Sequence, residues 1–549
     1  MPNAKYLRIY TKRNCIYIEN TPDCQNLTPA TSKLKIKKEE QEMNIIYKIN
    51  CEEAGREYPH YWEYCVGSCH AATLLREDVR NHIRQAHKDC GFTHVRCHGL
   101  FDDDMSVVIT PMNAPAPRSI SFYNIDCIYD FLLETGMKPF VEIGFMPTPL
   151  ASGTQVCFNY RGNVTPPADY EVWDDLIRQF ATHLIERYGK EEVEQWPFEV
   201  WNEPNLNFFF DGTQEDYFTL YEHTARALKS VDENLKVGGP ATSVNAWIPE
   251  FKAYCAEHAV PLDFITTHHY PSDDPLSTMG MNGPGTKGKT FDEELMKKVA
   301  AMSQEEIQKL MAQMMAPREN KNPRDILFQM TKKAKEEAGD LPLYYTEWNG
   351  SKEYDTSYQA AFIVQTLAYN EGLVEGYSYW TVSDIFEEMG MKPGPFKNEF
   401  GIQTNHGIPK PSYRVFELLH EAGDKRLDAE GSHRTAEVLA LKKEKEVMVL
   451  VYNHDLERKE IQAEDVTLQL GGQIAAMKKA VIDEAHCNPL AAWEALGSPA
   501  YLKKEQEQKI REASELVWEE IAVDPAAKET EVSLTALPES VTAYKITLA

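Results

Sequence analysis

Short apolar runs and longer amphipathic stretches alternate along most of the chain. Runs rich in β-branched and aromatic residues recur at 64–68 ("YCVGS"), 94–99 ("HVRCHG"), 138–145 ("KPFVEIGF") and 198–204 ("FEVWNEP"). Four more follow at 235–241 ("LKVGGPA"), 264–271 ("FITTHHYP"), 343–350 ("LYYTEWNG") and 374–384 ("VEGYSYWTVSD"). Between them apolar residues take helical spacing, as in "REDVRNHIRQAHKDCG" before the second run and "DYEVWDDLIRQFATHLIERYG" before the fourth. Apolar runs separated by amphipathic helices predict parallel strands buried on both faces and joined by right-handed crossovers. Eight such units predict an α/β fold, a (β/α)8 TIM barrel, over residues 61–423.

The pattern changes at both ends. Residues 1–42 include "LTPATSKLKIKKEEQE", polar and without a periodic apolar face, and are expected to be a disordered or peripheral extension. The coherent pattern starts at "MNIIYKINCEEAG", so Met43 is the expected natural start and 43–60 an N-terminal strand segment. After Asp424 helical spacing gives way to alternating runs such as "EVMVLVYNH" and "SVTAYKITL". These predict a C-terminal β-sandwich domain over 424–549, which the 43–60 segment joins. An insertion after Pro271 opens with Gly/Pro loop chemistry and turns helical and Met-rich, its methionines suited to packing.

A chain of 549 residues is long enough for this two-part plan. Its formal charge of -28 opposes nucleic acid and anionic membranes, leaving small neutral molecules as the expected partners. No run of about 18 apolar residues appears, and no apolar leader with a cleavage site. The 11 cysteines are scattered without CxxC pairs, which predicts reduced thiols and a cytoplasmic protein.

In a barrel of this type the site lies where the strands end and the βα loops converge. Glu203 ends the fourth run and Glu347 the seventh, which brings two carboxyls to one mouth from opposite walls. Among 85 acidic residues most belong on the surface, but a glutamate closing an apolar strand does not. Paired carboxyls suit glycosidic cleavage, in which one protonates the leaving oxygen and the other attacks or stabilises the sugar carbon. Retention of configuration would set them about 5 to 5.5 Å apart. Trp380 ends the eighth run, where its ring can floor a sugar site. Glu142 also ends a strand and is read as an ion-pair partner of Arg96. His268 and His269 point to opposite faces of a strand with no third ligand evident, so neither a metal nor a cofactor is expected.

These residues carry a resemblance. "WNEP" and "TEWN" resemble the clan of retaining glycoside hydrolases built on (β/α)8 barrels. "VGSCHA", "RCHGLFDDDM", "VEIGFMP", "FEVWNEPNLNFF", "THHYP", "TEWNGS", "YSYWTVSDIFEE" and "GIPKPSYRVFELL" follow the order of glycoside hydrolase family 39, the β-xylosidase and α-L-iduronidase family, from about Met43 to the end. The resemblance implies an exo-acting β-xylosidase of the bacterial branch, with Glu203 as acid/base and Glu347 as nucleophile. It further implies that Asn202 donates to the sugar 2-hydroxyl and that His98, His268 and Tyr270 contact the glycone. Glu387 or Glu388 would accept a sugar hydrogen bond, and the loop 396–400, with Phe400, would close the pocket. A homo-oligomer, as a tetramer, is also implied.

The sequence departs from that pattern at Phe210, where a tryptophan is expected, and at Lys397, Asn398 and Glu399. A lysine in this loop can pair with a uronic acid carboxylate, which keeps an iduronide as an alternative; an arabinoside and a glucoside are the other glycone alternatives. Outside the glycosidases, a sugar-binding protein on a decayed scaffold conflicts with the intact pair of glutamates. A lyase or metal-dependent enzyme lacks its base or ligand cluster.

Overall fold

The computed structural model describes residues 7–11, 14–18, 45–110, 119–273, 322–456 and 461–549. Most of the insertion expected after Pro271 lies outside the described residues. The chain divides into a unit of residues 1–44, in which Leu7–Thr11 pairs antiparallel with Asn14–Ile18, and a unit of residues 45–549.

Eight parallel strands close a barrel in the second unit. They are β1 (Cys65–His70), β2 (His94–His98), β3 (Lys138–Ile143), β4 (Pro197–Val200), β5 (Lys236–Thr242), β6 (Phe264–His268), β7 (Leu343–Trp348) and β8 (Gly376–Tyr379). Their order around the barrel follows the chain, and β8 pairs with β1 to close it. The strands are buried almost throughout, because helices cover the outside and side chains fill the inside. Gly67 in β1 has a specific reason: a Cβ there would lie 2.4 Å from Cε3 of Trp380, whose ring crosses the strand.

The helix after the β4 loop begins at a capping box. Thr213 Oγ1 accepts from the Asp216 N–H while the Asp216 carboxylate accepts from the Thr213 N–H, starting helix Gln214–Val231. A cap of this kind is worth about 1 kcal/mol and fixes where the catalytic loop ends.

A seven-stranded and a four-stranded sheet form the β-rich remainder. Ile45–Asn50 belongs to the smaller sheet, parallel to Glu464–Gly471, and alternates buried and exposed residues. Its Tyr47 packs with Leu427, Val449, Leu468 and Ile546 in a core separate from the barrel's. The strand runs expected after Asp424 miss two helices, Pro489–Ala495 and Lys504–Ala513. Trp493 and Ile510 from these helices bury against Phe396 and Ile408. Among the described residues no helix is long and apolar enough to cross a membrane.

Candidate active site

The mouth of the barrel holds a cavity of about 260 Å³, at the small end for ligand pockets. Strand β4 delivers its carboxyl by turning sharply. Trp201 and Glu203 have φ of 73° and 43°, values uncommon outside glycine, each costing about 1–3 kcal/mol. The turn is held by Trp201 Nε1–H donating to the Phe209 carbonyl and by the Glu203 N–H donating to the Ala241 carbonyl, both 2.8 Å. Glu347 needs no such turn, since it lies within β7 opposite His268 of β6.

The two glutamates are in direct reach. One atom each of Glu203, His268 and Glu347 lies within 4.8 Å of the others. His268 Nδ1 sits 3.1 Å from Glu203 Oε1 and 3.7 Å from Glu347 Oε2. Both oxygens of Glu347 are held: Tyr270 Oη donates to Oε2 at 2.7 Å and an Arg96 N–H to Oε1 at 2.8 Å. Burial pushes the Glu203 carboxyl up to about 7, with Ser243 and Arg96 opposing and Glu142 adding to the rise. The sequence found no third ligand near His268, whereas the structure brings the Glu203 and Glu347 carboxyls to it, a spacing that a small cation would accept. Acid/base chemistry needs the same proximity, and the Arg96 guanidinium bound to Glu347 disfavours a second cation there.

Arg96 organises the floor. It is fully buried and bonds Glu142, Glu199, Glu347 and the Asn202 Oδ1. A guanidinium only donates, so Asn202 must turn its oxygen to Arg96, which leaves its NH₂ for the cavity. Glu142 is taken up by Arg96 and by His98 Nδ1, both at 2.8 Å, and does not line the cavity. His98, Tyr270, Trp380 and Phe400 do line it. His268 reaches it through the two glutamates. His269 faces the other way, with a ring nitrogen 3.9 Å from Asp273.

The structure separates residues that the sequence left together. Of the adjacent glutamates only Glu388 lines the cavity, its carboxyl pushed well up by burial and by Glu347 and Glu203. Glu387 points away to His70 and Arg76, 3.7 Å from each, at the start of a turn closed by the Gly390 N–H donating to the Glu387 carbonyl. Lys397 lies over the Trp493 ring, 5.0 Å from its centroid, and not in the cavity. Phe396 is likewise drawn into the core formed with Trp493 and Ile408, so Phe400 alone of the two phenylalanines forms the wall. Phe210, the residue in place of tryptophan, is buried edge-on against Trp201.

Sequence reasoning missed Phe158, Phe209, Asp273 and Tyr354, which also line the cavity. All four follow barrel strands, so their place in βα loops is the signal that could have found them. Burial pushes the Asp273 carboxyl up to about 7, opposed by the Tyr270 N–H that it accepts.

A parallel eight-stranded barrel with two opposed carboxyls at its C-terminal mouth defines a glycoside hydrolase. The chain belongs to the glycosyl hydrolases family 39, whose family model matches residues 45–310 and 295–528. It is 44% identical over 498 residues to a β-xylosidase of Caldicellulosiruptor saccharolyticus, covering 88% of this chain and 95% of that protein. A β-xylosidase of Geobacillus stearothermophilus is 34% identical over 86% of this chain and 90% of its own. Among solved structures, a monomeric β-xylosidase from Caulobacter crescentus CB15 superposes with a TM-score of 0.73 at 28% identity, covering 92% of this chain and 99% of that one.

Proposed function

We propose that this chain is an exo-acting, retaining β-xylosidase that releases terminal β-D-xylose from xylo-oligosaccharides or β-xylosides. In the first step Glu203 gives its proton to the glycosidic oxygen while Glu347 attacks the anomeric carbon, forming a covalent glycosyl-enzyme and freeing the aglycone. In the second step Glu203, now a base, takes a proton from water, whose oxygen displaces Glu347. Two inversions leave the configuration unchanged. Asn202 turns its NH₂ to the sugar 2-hydroxyl, and Trp380 forms the floor beneath the ring.

One observation carries this reading: the cavity presents two carboxyls within direct reach and, among the described residues, no lysine or arginine lines it. A uronate would meet Glu203, Glu347, Glu388 and Asp273 without a cation, which argues against an iduronide. Trp380, Phe400, Phe158 and Tyr354 crowd the remaining wall, so a C6 hydroxymethyl group is also disfavoured. On a plate of aryl glycosides, β-xylosides should be the best substrates, with α-arabinosides next and β-glucosides lower by about 10- to 200-fold. Faster turnover of iduronides than of xylosides would overturn the glycone assignment.

The same protonation logic sets the pH profile. Glu203 must carry its proton for the first step, so kcat/KM should fall as the pH rises through about 7. A dinitrophenyl xyloside needs no proton on its leaving oxygen and should lose that basic limb. A limb that persists for both substrates would place the titration on another group.

A monomer is the reading that the monomeric β-xylosidase from Caulobacter crescentus CB15 supports, and the size of the enzyme in solution tests it against a tetramer. A cytoplasmic location is supported by the nine free cysteines of the described residues, eight of them buried.

A further inference from the structure

Behind the cavity a buried line of hydrogen bonds runs from Glu199 in β4 through Thr346 in β7 and His268 in β6 to Glu203. Thr346 Oγ1 donates to Glu199 Oε1 at 2.7 Å, and His268 Nε2 lies 3.0 Å from that same hydroxyl oxygen. Glu199 is held in turn by the Arg96 guanidinium on its other oxygen. A hydroxyl has one proton to give, and this one goes to Glu199. Thr346 therefore offers His268 only lone pairs, and the ring proton must sit on Nε2.

The consequence falls on the other ring nitrogen. In a neutral imidazole with Nε2–H, Nδ1 is a bare acceptor, and it lies 3.1 Å from Glu203 Oε1. Two acceptors do not approach that closely without a proton between them, so the proton is that of the Glu203 carboxylic acid. We propose that Thr346, oriented by Glu199, fixes the Nε2–H tautomer of His268 and thereby holds Glu203 in its proton-donating form. Thr346 and Glu199 are positioning residues; neither lines the cavity.

The surrounding charges agree with this arrangement. His268 faces Glu203, Glu347 and, further off, Glu142, Glu199, Arg96 and His98. Burial outweighs these carboxylates and lowers the His268 pKa, keeping the ring neutral. Glu203 itself faces His268, Ser243, Arg96 and Glu142, with Tyr270, Asp273 and Glu388 across the cavity. Burial is the main cause of the rise to about 7, which favours the protonated acid that this hydrogen bond requires.

The inference rests on Glu203 being the acid, and its test separates the two. Thr346→Val keeps the side-chain shape and removes the acceptor of Nε2–H. The ring then gains by moving its proton to Nδ1, where it donates to the Glu203 carboxylate and favours the charged form. The basic limb of kcat/KM for nitrophenyl xylosides should move down by about one pH unit, and Thr346→Ser should return it. Ring-nitrogen NMR of histidine-labelled enzyme, with His268 identified by its loss in His268→Asn, should show Nε2 protonated in the wild type and Nδ1 protonated in Thr346→Val. An unmoved limb, or a wild-type ring already protonated on Nδ1, overturns the proposal. Glu203→Gln is the control: a basic limb that survives it shows that the assignment of Glu203 as the acid has failed, independently of the tautomer.

Discussion

Glu347→Ala is expected to lower kcat by about 10⁴-fold or more on every xyloside, good leaving group or poor. The reason is the order of bond making. Without the carboxylate no glycosyl-enzyme forms, and activating the leaving oxygen cannot replace the missing nucleophile. The loss should not be structural, because Glu347 sits at the cavity end of β7 and its partners Arg96 and Tyr270 remain. Azide can enter the space left by the side chain and attack the sugar directly. Its product should then be the inverted glycosyl azide.

Glu203→Ala should separate substrates that Glu347→Ala treats alike. Natural xylosides and simple alkyl xylosides need a proton on a poor leaving oxygen and should slow by about 10²- to 10⁴-fold. A dinitrophenolate leaves unaided, so the first step on that substrate should stay near the wild-type rate. The second step then lacks its base, and the glycosyl-enzyme should accumulate as a burst followed by slow turnover. Azide needs no deprotonation and should restore turnover with a glycosyl azide of retained configuration. An inverted azide from Glu203→Ala, or a retained one from Glu347→Ala, would mean that the two roles are exchanged.

Much of the barrel is legible in the sequence because a strand covered on both faces needs an unbroken apolar run. For the same reason Glu203 and Glu347 stand out: each closes such a run with a charge that the core has no use for. Residues inside the runs are harder. Glu199 lies inside β4 between Phe198 and Val200, and Thr346 inside β7 just before Glu347; only the closed barrel shows that Glu199 meets Arg96 and Thr346, and that Thr346 meets His268.

Loop residues are illegible for a different reason. A loop has no period, so nothing in "IFEE" tells that Glu388 enters the cavity while Glu387 turns to His70 and Arg76. Lys397 is drawn off by Trp493, more than 90 residues later in the chain, and no local pattern announces that contact. The helix Pro489–Ala495 is only seven residues long, too short to show a helical period, and Lys504–Ala513 is highly polar, with few apolar positions to mark its spacing. Their role in drawing Phe396 out of the pocket wall follows from packing alone.

The central claim is that Glu347 carries the sugar between the two steps. A 2-fluoro-xyloside with a dinitrophenyl leaving group slows both steps, the second more, and so traps the intermediate. Peptide mapping of the treated enzyme by mass spectrometry should find one fluoroxylosyl group, on the peptide that contains Glu347 and on that carboxyl. A label on Glu203, or complete turnover with inverted product and no adduct, would contradict it.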